Sequence, residues 1–404
     1  MSSTSLLYHG FSISGYQYVS QQFVGGQIIV RIEKDRDHYR CSCCGSADVW
    51  AQGHVERCLQ TVPIGGKPVF VKLDVPRLFC FQCHVTRQGK LGFAEPRVSY
   101  TRAFERYALD LSRSMTIKDV AEHLQVSWDI IKDIQARSLE RRYGKPKLKH
   151  LKQIAIDEIC IGKGHRYLTV VLDLVSGAVV FVGDGKGGDA LEPFWRRLRR
   201  SRARIQAVAT DMSAAYTRAV RENLPRAVHV FDHFHVIKLF NEKISNFRRA
   251  LYYQLSATDR RVLKGIRWLL LKNPENLDPE RNEQQRLDEA LRLNNSLAIV
   301  YYMKEYLRHL WALDSKREAR ALLKDWLQLA RASEIRMLEQ FADTLEEHQR
   351  GILAYYDYPI STGPLEGTNN KIKRLNRQAY GFRDRAFLKL KILALHKAKY
   401  ALVG

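Results

Sequence analysis

The sequence has no run of 18 uninterrupted apolar residues, so a membrane-spanning helix is not expected. Its start, Met1-Ser2-Ser3-Thr4, lacks the basic-then-apolar order of a secretory signal, and the plain expectation is a cytoplasmic protein. No internal repeat and no low-complexity linker interrupts the 404 residues, so two or three folded domains should account for them. Acid is scarce: 43 Asp and Glu stand against 66 Lys and Arg, for a net charge of +23. An excess of that size on a chain with 45% hydrophobic residues points to a polyanionic partner, of which nucleic acid is the commonest. The basic residues fall in three separate segments, 141–152, 195–204 and 371–399, as an extended electropositive surface would require and a single basic tail would not.

The chain divides by pattern into five stretches. Residues 1–95 are rich in Cys, Gly, Val and aromatics with period-two alternation, as in Gln27-Ile28-Ile29-Val30-Arg31-Ile32-Glu33, and predict short strands. Residues 100–145 are helical in pattern, and 150–250 alternate strand-like runs with amphipathic helices. Residues 251–355 are helix-like almost throughout, and a last helical region occupies 356–404. The fold class expected is multidomain, α+β followed by α/β.

Only seven cysteines are present, yet four form two CxxC units, Cys41/Cys44 and Cys80/Cys83. Two residues between thiolates let a tight turn aim both sulfurs at one ion, and two such turns complete a tetrahedral structural zinc site. The 35 residues between the pairs exceed the common spacing, and their strand-like pattern predicts a ribbon with an enlarged hairpin. Cys43, Cys58 and Cys160 are spares. Unliganded core cysteines are the alternative, and a disulfide is disfavoured by the expected compartment.

Residues 116–138 read as a helix-turn-helix. Ile117, Val120, Ala121 and Leu124 form one apolar stripe; Ser127 is placed to cap a second helix whose stripe is Ile130, Ile131 and Ile134. That second helix has the position of a DNA-recognition helix, with Ser127 and Lys132 as candidate contacts. An αα-hairpin that only packs would give the same stripes.

From 153 onward, three strand-like runs, a helix, a strand ending at Asp211, a helix and a strand ending at Asp232 follow in the order βββαβαβα. That is the order of the ribonuclease-H-like fold. Asp157 on the first strand and Asp211 after the fourth would lie side by side if those strands pair. In-line phosphodiester cleavage is well served by two divalent ions about 4 Å apart, and hard magnesium ions take carboxylate oxygens. A third carboxylate should come from a later helix, and Glu366 is the candidate. Ser361 or Thr362 can cap that helix and Pro364 suits its first turn. Glu366, Asn370 and Lys373 would share one face, Leu365, Ile372 and Leu375 another. Taken singly, an acid at a helix start also suits the dipole, and an acid at a strand end is often a turn residue.

The string Gly363-Pro-Leu-Glu366-Gly-Thr-Asn-Asn-Lys-Ile-Lys373-Arg, with Arg377-Gln-Ala-Tyr380-Gly381-Phe, resembles the end of the DDE transposases of the ISL-three insertion-sequence family. So do Ala155-Ile-Asp157-Glu158 with Lys163-Gly-His165 and Tyr167, Thr210-Asp211-Met-Ser213 with Tyr216, and Val230-Phe-Asp232-His-Phe-His235. The resemblance covers nearly the whole chain. It implies a catalytic triad of Asp157, Asp211 and Glu366 holding two Mg2+ ions, with Mn2+ as a substitute. It also implies a ribonuclease-H-like core interrupted by a helical insertion at 251–355. The partner implied is double-stranded DNA, both terminal inverted repeats and target, engaged by a homodimer on the bacterial nucleoid.

Around these, Asp232, His235 and His165 are candidate accessory residues, and Lys371, Lys373, Arg374 and Arg377 candidate phosphate contacts. Glu158 follows Asp157 on the strand and should face the other way. Trp268, Trp311 and Trp326 recur at helical spacing and are expected in the core. The rival reading is a domesticated, non-catalytic DNA-binding regulator; all three carboxylates are present, which is against it. A nuclease without strand transfer would share the acids but not the DNA-reading front end.

Overall fold

A computed structural model describes residues 6–162 and 164–396, with side chains at 257 and 258 left aside. Lys163 and the end of the basic C-terminal stretch, 397–404, lie outside the described residues. The chain forms two compact units, 1–141 and 142–404.

In the first unit a single helical turn, α1 (Leu6–His9), precedes a five-stranded mixed sheet. Strands β1 (Gln17–Val24) and β2 (Gln27–Glu33) form a hairpin, as do β3 (Val49–Ile64) and β4 (Lys67–Cys80). Each turns through a glycine pair, Gly25-Gly26 and Gly65-Gly66, whose positive φ angles are those a two-residue hairpin turn demands. β2 pairs in parallel with β4, and the short β5 (Thr86–Gln88) pairs with the end of β4. The alternation in β4 buries Val69, Val71, Leu73 and Val75 against Ile32, Leu59 and Phe93. The enlarged hairpin expected between the cysteine pairs is thus β3–β4.

Three helices follow, α2 (Arg102–Leu111), α3 (Ile117–His123) and α4 (Trp128–Tyr143). Thr116 and Asp119 close a capping box at the start of α3: each side chain receives the other's backbone N–H. Gln125, at φ 53°, makes the turn into α4. Val120, Ala121, Leu124, Ile131 and Ile134 are buried together with Phe104 of α2, so both stripes face one small core.

The second unit contains a sheet of β6 (Gln153–Gly162), β7 (Arg166–Asp173), β8 (Val179–Asp184), β9 (Ala207–Thr210) and β10 (Val228–Phe231). Its spatial order is β10-β9-β6-β7-β8, with β6, β9 and β10 mutually parallel and β7 antiparallel to both neighbours. Helices α5 (Glu192–Ser201) and α6 (Ala214–Asn223) follow β8 and β9. They supply Phe194, Trp195, Leu198, Tyr216 and Val220 to a core shared with Ile154, Ile156 and Val208. The order of elements is the one expected from the sequence. α7 (His233–Gln254) leads out of β10 into a helical region. This comprises α8 (Ala257–Leu263), α9 (Arg267–Leu271), α10 (Glu283–Leu293), α11 (Asn295–Arg308), α12 (Lys316–Ala332) and α13 (Arg336–Leu353).

Phe240, Trp326 and Phe341 pack ring on ring at the centre of this region, with Phe240 and Phe341 stacked at 4.5 Å. Trp326 is fully buried and donates its Nε1–H to the Met303 carbonyl, while Trp311 is half-buried against the same core. Trp268 departs from expectation. It is 64% exposed, because α9 is five residues long and turns Leu269 and Leu270 inward instead. α13 returns the chain to the sheet, where Gly351 lies so close to the Phe231 ring that a Cβ would come within 2.4 Å of it. Two further helices, α14 (Gly363–Gln378) and α15 (Arg385–Leu393), complete the unit.

Candidate active site and metal centre

In the first unit the two CxxC turns meet at one end of the β3–β4 hairpin, where Val49 pairs with Cys80. The sulfurs of Cys41 and Cys83 are 3.6 Å apart, those of Cys44 and Cys80 3.5 Å, and all four lie within 4.8 Å of one another. A tetrahedron with zinc–sulfur bonds of about 2.3 Å needs sulfurs about 3.8 Å apart, so the geometry fits a structural zinc. Each turn closes through a residue with positive φ, Gly45 at 79° and His84 at 53°. The backbone N–H groups of Cys44 and Cys43 are aimed at the Cys41 sulfur and hold its thiol down at about 6, ready to ligate as thiolate. Burial, with the neighbouring sulfurs, pushes Cys83 up to about 12. Cys43, Cys58 and Cys160 are exposed and take no part.

In the second unit the strand registers set the site. β6 and β9 pair Ala155 with Ala209, two residues before each acid, so Asp157 within β6 comes level with Asp211 just past the end of β9. β9 and β10 pair Thr210 with Phe231, which brings Asp232 level with Asp211 in turn. Three carboxylates therefore stand in a row across three neighbouring strands, at the strand spacing of about 4.8 Å per step. Burial pushes the Asp157 carboxyl above the usual carboxylate range, and the charge of Asp211 adds to this. The Glu158 N–H, 2.8 Å from Asp157 Oδ1, works the other way, as do the charges of His235 and Lys238. Asp211 Oδ1 accepts from the Ser213 N–H at 3.0 Å, which orients it at the start of α6.

Asp232 is buried, yet its carboxyl is held below the ordinary range. Burial opposes its ionisation, but hydrogen bonds from His235 Nδ1 (3.0 Å) and the Thr362 hydroxyl (2.7 Å) outweigh it. For His235 burial again opposes charge, and Asp232 with Asp157 and Asp211 reverses the balance, raising its pKa. Glu158 is half-buried and raised by burial, with the Tyr216 hydroxyl and Lys186 acting against that.

α14 crosses this row. Thr362, at its start, donates to Asp232, and Asn369 Nδ2 donates to Asp157 Oδ2 at 2.8 Å. Asn376 Nδ2 reaches the Ile161 carbonyl at 2.9 Å, so the helix continues alongside β6. At 100° per residue, Thr362, Glu366 and Asn369 fall within about 60° of one another on the helix. Glu366 is thus between the two anchors, on the anchored face, and is exposed. Among the described residues, the four cysteines are the one group of three or more potential ligands whose atoms lie within 4.8 Å of each other, so Glu366 does not close on the aspartates. Of the two residues placed to cap α14, Thr362 turns its hydroxyl to Asp232 and makes no cap hydrogen bond, while Ser361 Oγ accepts the Gly363 N–H.

The remaining candidates are dispersed. His165 is at the tip of the β6–β7 hairpin, five residues along β6 from Asp157 or about 16 Å of strand, and its ring stacks on Tyr167. Lys371, Lys373, Arg374 and Arg377 are all exposed on α14. Ser127 is exposed just before α4, and the Lys132 ammonium lies 5.6 Å over the exposed Trp128 ring. The pattern of the sequence does not single out Asn369, Thr362 as a ligand of Asp232, or Lys238. The only signal is spacing, since Asn369 follows Glu366 by three residues.

A transposase family model, that of the DDE transposases of ISL3, matches residues 154–392. A second, the helix-turn-helix domain of transposase family ISL3, matches residues 90–138. The chain is 32% identical over 358 residues to the transposase for insertion sequence element IS1001 of Bordetella parapertussis, covering 88% of each. It is 28% identical over 410 residues to that for IS1557 of Mycobacterium tuberculosis, covering 94% of this chain and 91% of that one. Among solved structures, a chain of the Drosophila P element transposase strand transfer complex aligns at TM-score 0.37 and 9% identity, over 75% of this chain and 94% of that one. No described helix is long and apolar enough to cross a membrane. The helix-turn-helix of residues 90–138, the acids borne within 154–392 and the extent of both relatives converge: the chain belongs to the ISL3 family of insertion-sequence transposases.

Proposed function

We propose that this transposase binds the terminal inverted repeats of its element through residues 1–145 and cuts and joins DNA at Asp157, Asp211 and Glu366. The ribbon at 1–95 and the helix-turn-helix at 100–145 would read DNA, with the second helix of the latter in the major groove. We read the second unit as a ribonuclease-H-like core formed by 150–250 and 356–404, with 251–355 as its insertion, a reading that its strand order supports. One observation supports the chemistry above the rest: the parallel pairing of β6 and β9 brings Asp157 and Asp211 level, and the helix of Glu366 is tied to Asp157 through Asn369 and to Asp232 through Thr362.

Two partly buried carboxylates whose charges oppose one another fit hard divalent cations, Mg2+ first and Mn2+ in its place. Such ions, when bound, supply Lewis acidity at the attacking and leaving oxygens. Asp157, Asp211 and Glu366 would hold them; Asn369 fixes the rotamer of Asp157, and Asp232 with His235 keeps the helix start in place. Water would attack first, leaving a 3′-OH that attacks target DNA in the same site. Holding two element ends calls for two protomers, so we read the active form as a homodimer on DNA.

The test is purified protein on labelled DNA carrying the element's terminal repeat, with and without Mg2+. Metal-dependent nicking at the repeat boundary, abolished by Asp157→Ala or Glu366→Ala while repeat binding persists, is the expected result. Normal cleavage by the Glu366→Ala protein would overturn the assignment of that residue.

A further inference from the structure

A groove of about 420 Å³ starts at the first turn of α7, beside His235, and follows that helix outward past Lys238 and Ser245 to Arg249, with Arg267 of α9 on its other wall. A second hollow of about 330 Å³, lined by Arg248, Tyr252, Tyr253 and Lys264, shares Arg249 and Arg267 with the first, so the two adjoin at these side chains. The charge along it is uncompensated. Glu242 is the sole acid of α7. Among the described residues, none of Arg248, Arg249 and Arg267 forms an ion pair with a carboxylate: Arg248 donates to the Leu263 carbonyl and Arg249 to Asn246. The three guanidiniums are close enough that burial and the charges of Arg267 and Arg249 together weaken the hold of Arg248 on its proton. Crowded like charges of this kind are relieved by an anion with several charges.

Large aromatic rings stand in water along these hollows, Phe234 and Tyr253 on their walls and Trp268 next to Arg267. Trp268 is 64% exposed, Tyr253 71% and Phe234 44%. The Arg267 guanidinium lies 4.8 Å from the Trp268 ring centroid, making a flat cationic platform. No core function explains these rings, since Leu269 and Leu270 fill the core from the same helix. Cations spaced along a helix with exposed flat rings between them are what a single strand with unpaired bases takes: phosphates meet the cations and bases stack on the rings. A duplex hides its base faces and would leave the rings unused.

We infer that the α7 groove binds a single DNA strand leading away from the acid row, its phosphates on Lys238, Arg249 and Arg267 and a base stacked on Trp268. Residues 238–253 of a helix span about 22 Å, enough for about six stacked nucleotides at about 3.4 Å each. This deepens the reading of the acids as the cleavage site by giving a path to the strand they cut, but the binding itself needs no metal and no catalysis.

The experiment therefore uses full-length protein carrying Asp157→Ala, without divalent metal, and a labelled 15-nucleotide oligothymidine containing 5-bromodeoxyuridine. Photocrosslinks are mapped by mass spectrometry and affinity is followed by anisotropy. Crosslinks in 234–268 are expected. Arg249→Glu with Arg267→Glu should weaken binding tenfold or more and Trp268→Ala about fivefold or more, each with an unchanged melting temperature. Arg200→Glu with Arg204→Glu, an equal charge reversal on the basic run after β8, should change affinity less than threefold. Crosslinks confined to 1–141, or equal losses from the two charge reversals, would overturn the inference. So would a groove double variant that weakens a 15-base-pair duplex as much as the single strand. A protein that cleaves normally but fails here leaves the acids in place and removes the groove.

Discussion

The four cysteines of the first unit come from two turns at one end of a single hairpin, whereas the acids of the second come from three strands and a helix, with Asp157 and Glu366 at the extremes. The sulfur cluster is closed: four soft ligands satisfy one ion and leave no open position. The acid row is open: Asp157 and Asp211 are fixed by strand register, Asp232 is consumed by His235 and Thr362, and Glu366 stays exposed. One arrangement secures a fold. The other leaves room for a substrate.

Substitutions can break or sharpen this contrast. The largest effect is expected from Asp211→Asn, which should lower Mg2+-dependent nicking on the order of a thousandfold or more without changing repeat binding or melting temperature. Residual activity within tenfold of the parent would mean that the register of β6 and β9 does not build the site. Cys80→Ser should act in the opposite way. Zinc content measured by mass spectrometry should fall from about one per chain, and repeat binding should drop roughly 10- to 100-fold as the first unit loosens. A zinc-free protein that still binds repeats with full affinity would remove the distinction between the two sites.

Smaller effects probe the supports. Asn369→Ala frees Asp157 Oδ2 and should cost roughly 10- to 100-fold in nicking, partly recovered at higher Mg2+ because it disturbs ligand orientation and not ligand number. A loss that extra metal does not restore would make Asn369 a contact to DNA instead. Thr116→Ala removes the hydroxyl that caps α3 and should lower stability by about 1 kcal/mol, seen as a lower melting temperature and a modest loss of repeat binding. Cleavage of a pre-nicked substrate should be untouched by it.

The two sites also differ in how far the sequence discloses them. CxxC spacing is a local signal, because a turn of four residues is enough to aim two sulfurs, so Cys41, Cys44, Cys80 and Cys83 are legible from spacing alone. Asp211 and Asp232 are legible through strand order, since an acid just past a short apolar run sits where a parallel strand ends, whereas β6 runs on past Asp157 to Gly162. What stays hidden depends on tertiary register. Asn369 touches Asp157 across 212 residues of chain, and nothing about an asparagine on a helix announces its partner. Capping its own helix is the commoner fate of a threonine at the position of Thr362, but here the hydroxyl is turned to a buried carboxylate and accepts no N–H from the first turn of α14. Helical spacing places Trp268 inside because it counts apolar residues without knowing that α9 stops after five.

The level pairing of β6 with β9 has a further consequence. Main-chain hydrogen bonds pair β6 with β9 as far as Ala155 and Ala209, two residues short of each acid, and hold the strands at about 4.8 Å whatever side chains they carry. The backbone positions from which the two carboxylates reach out therefore follow that pairing, while Asn369 and the Ser213 N–H orient the carboxylates themselves. Core residues such as Val208 or Ile156 can change size and alter stability before they alter that pairing. The positions of the two acids are thereby insulated from many of the mutations that the rest of the unit will accumulate.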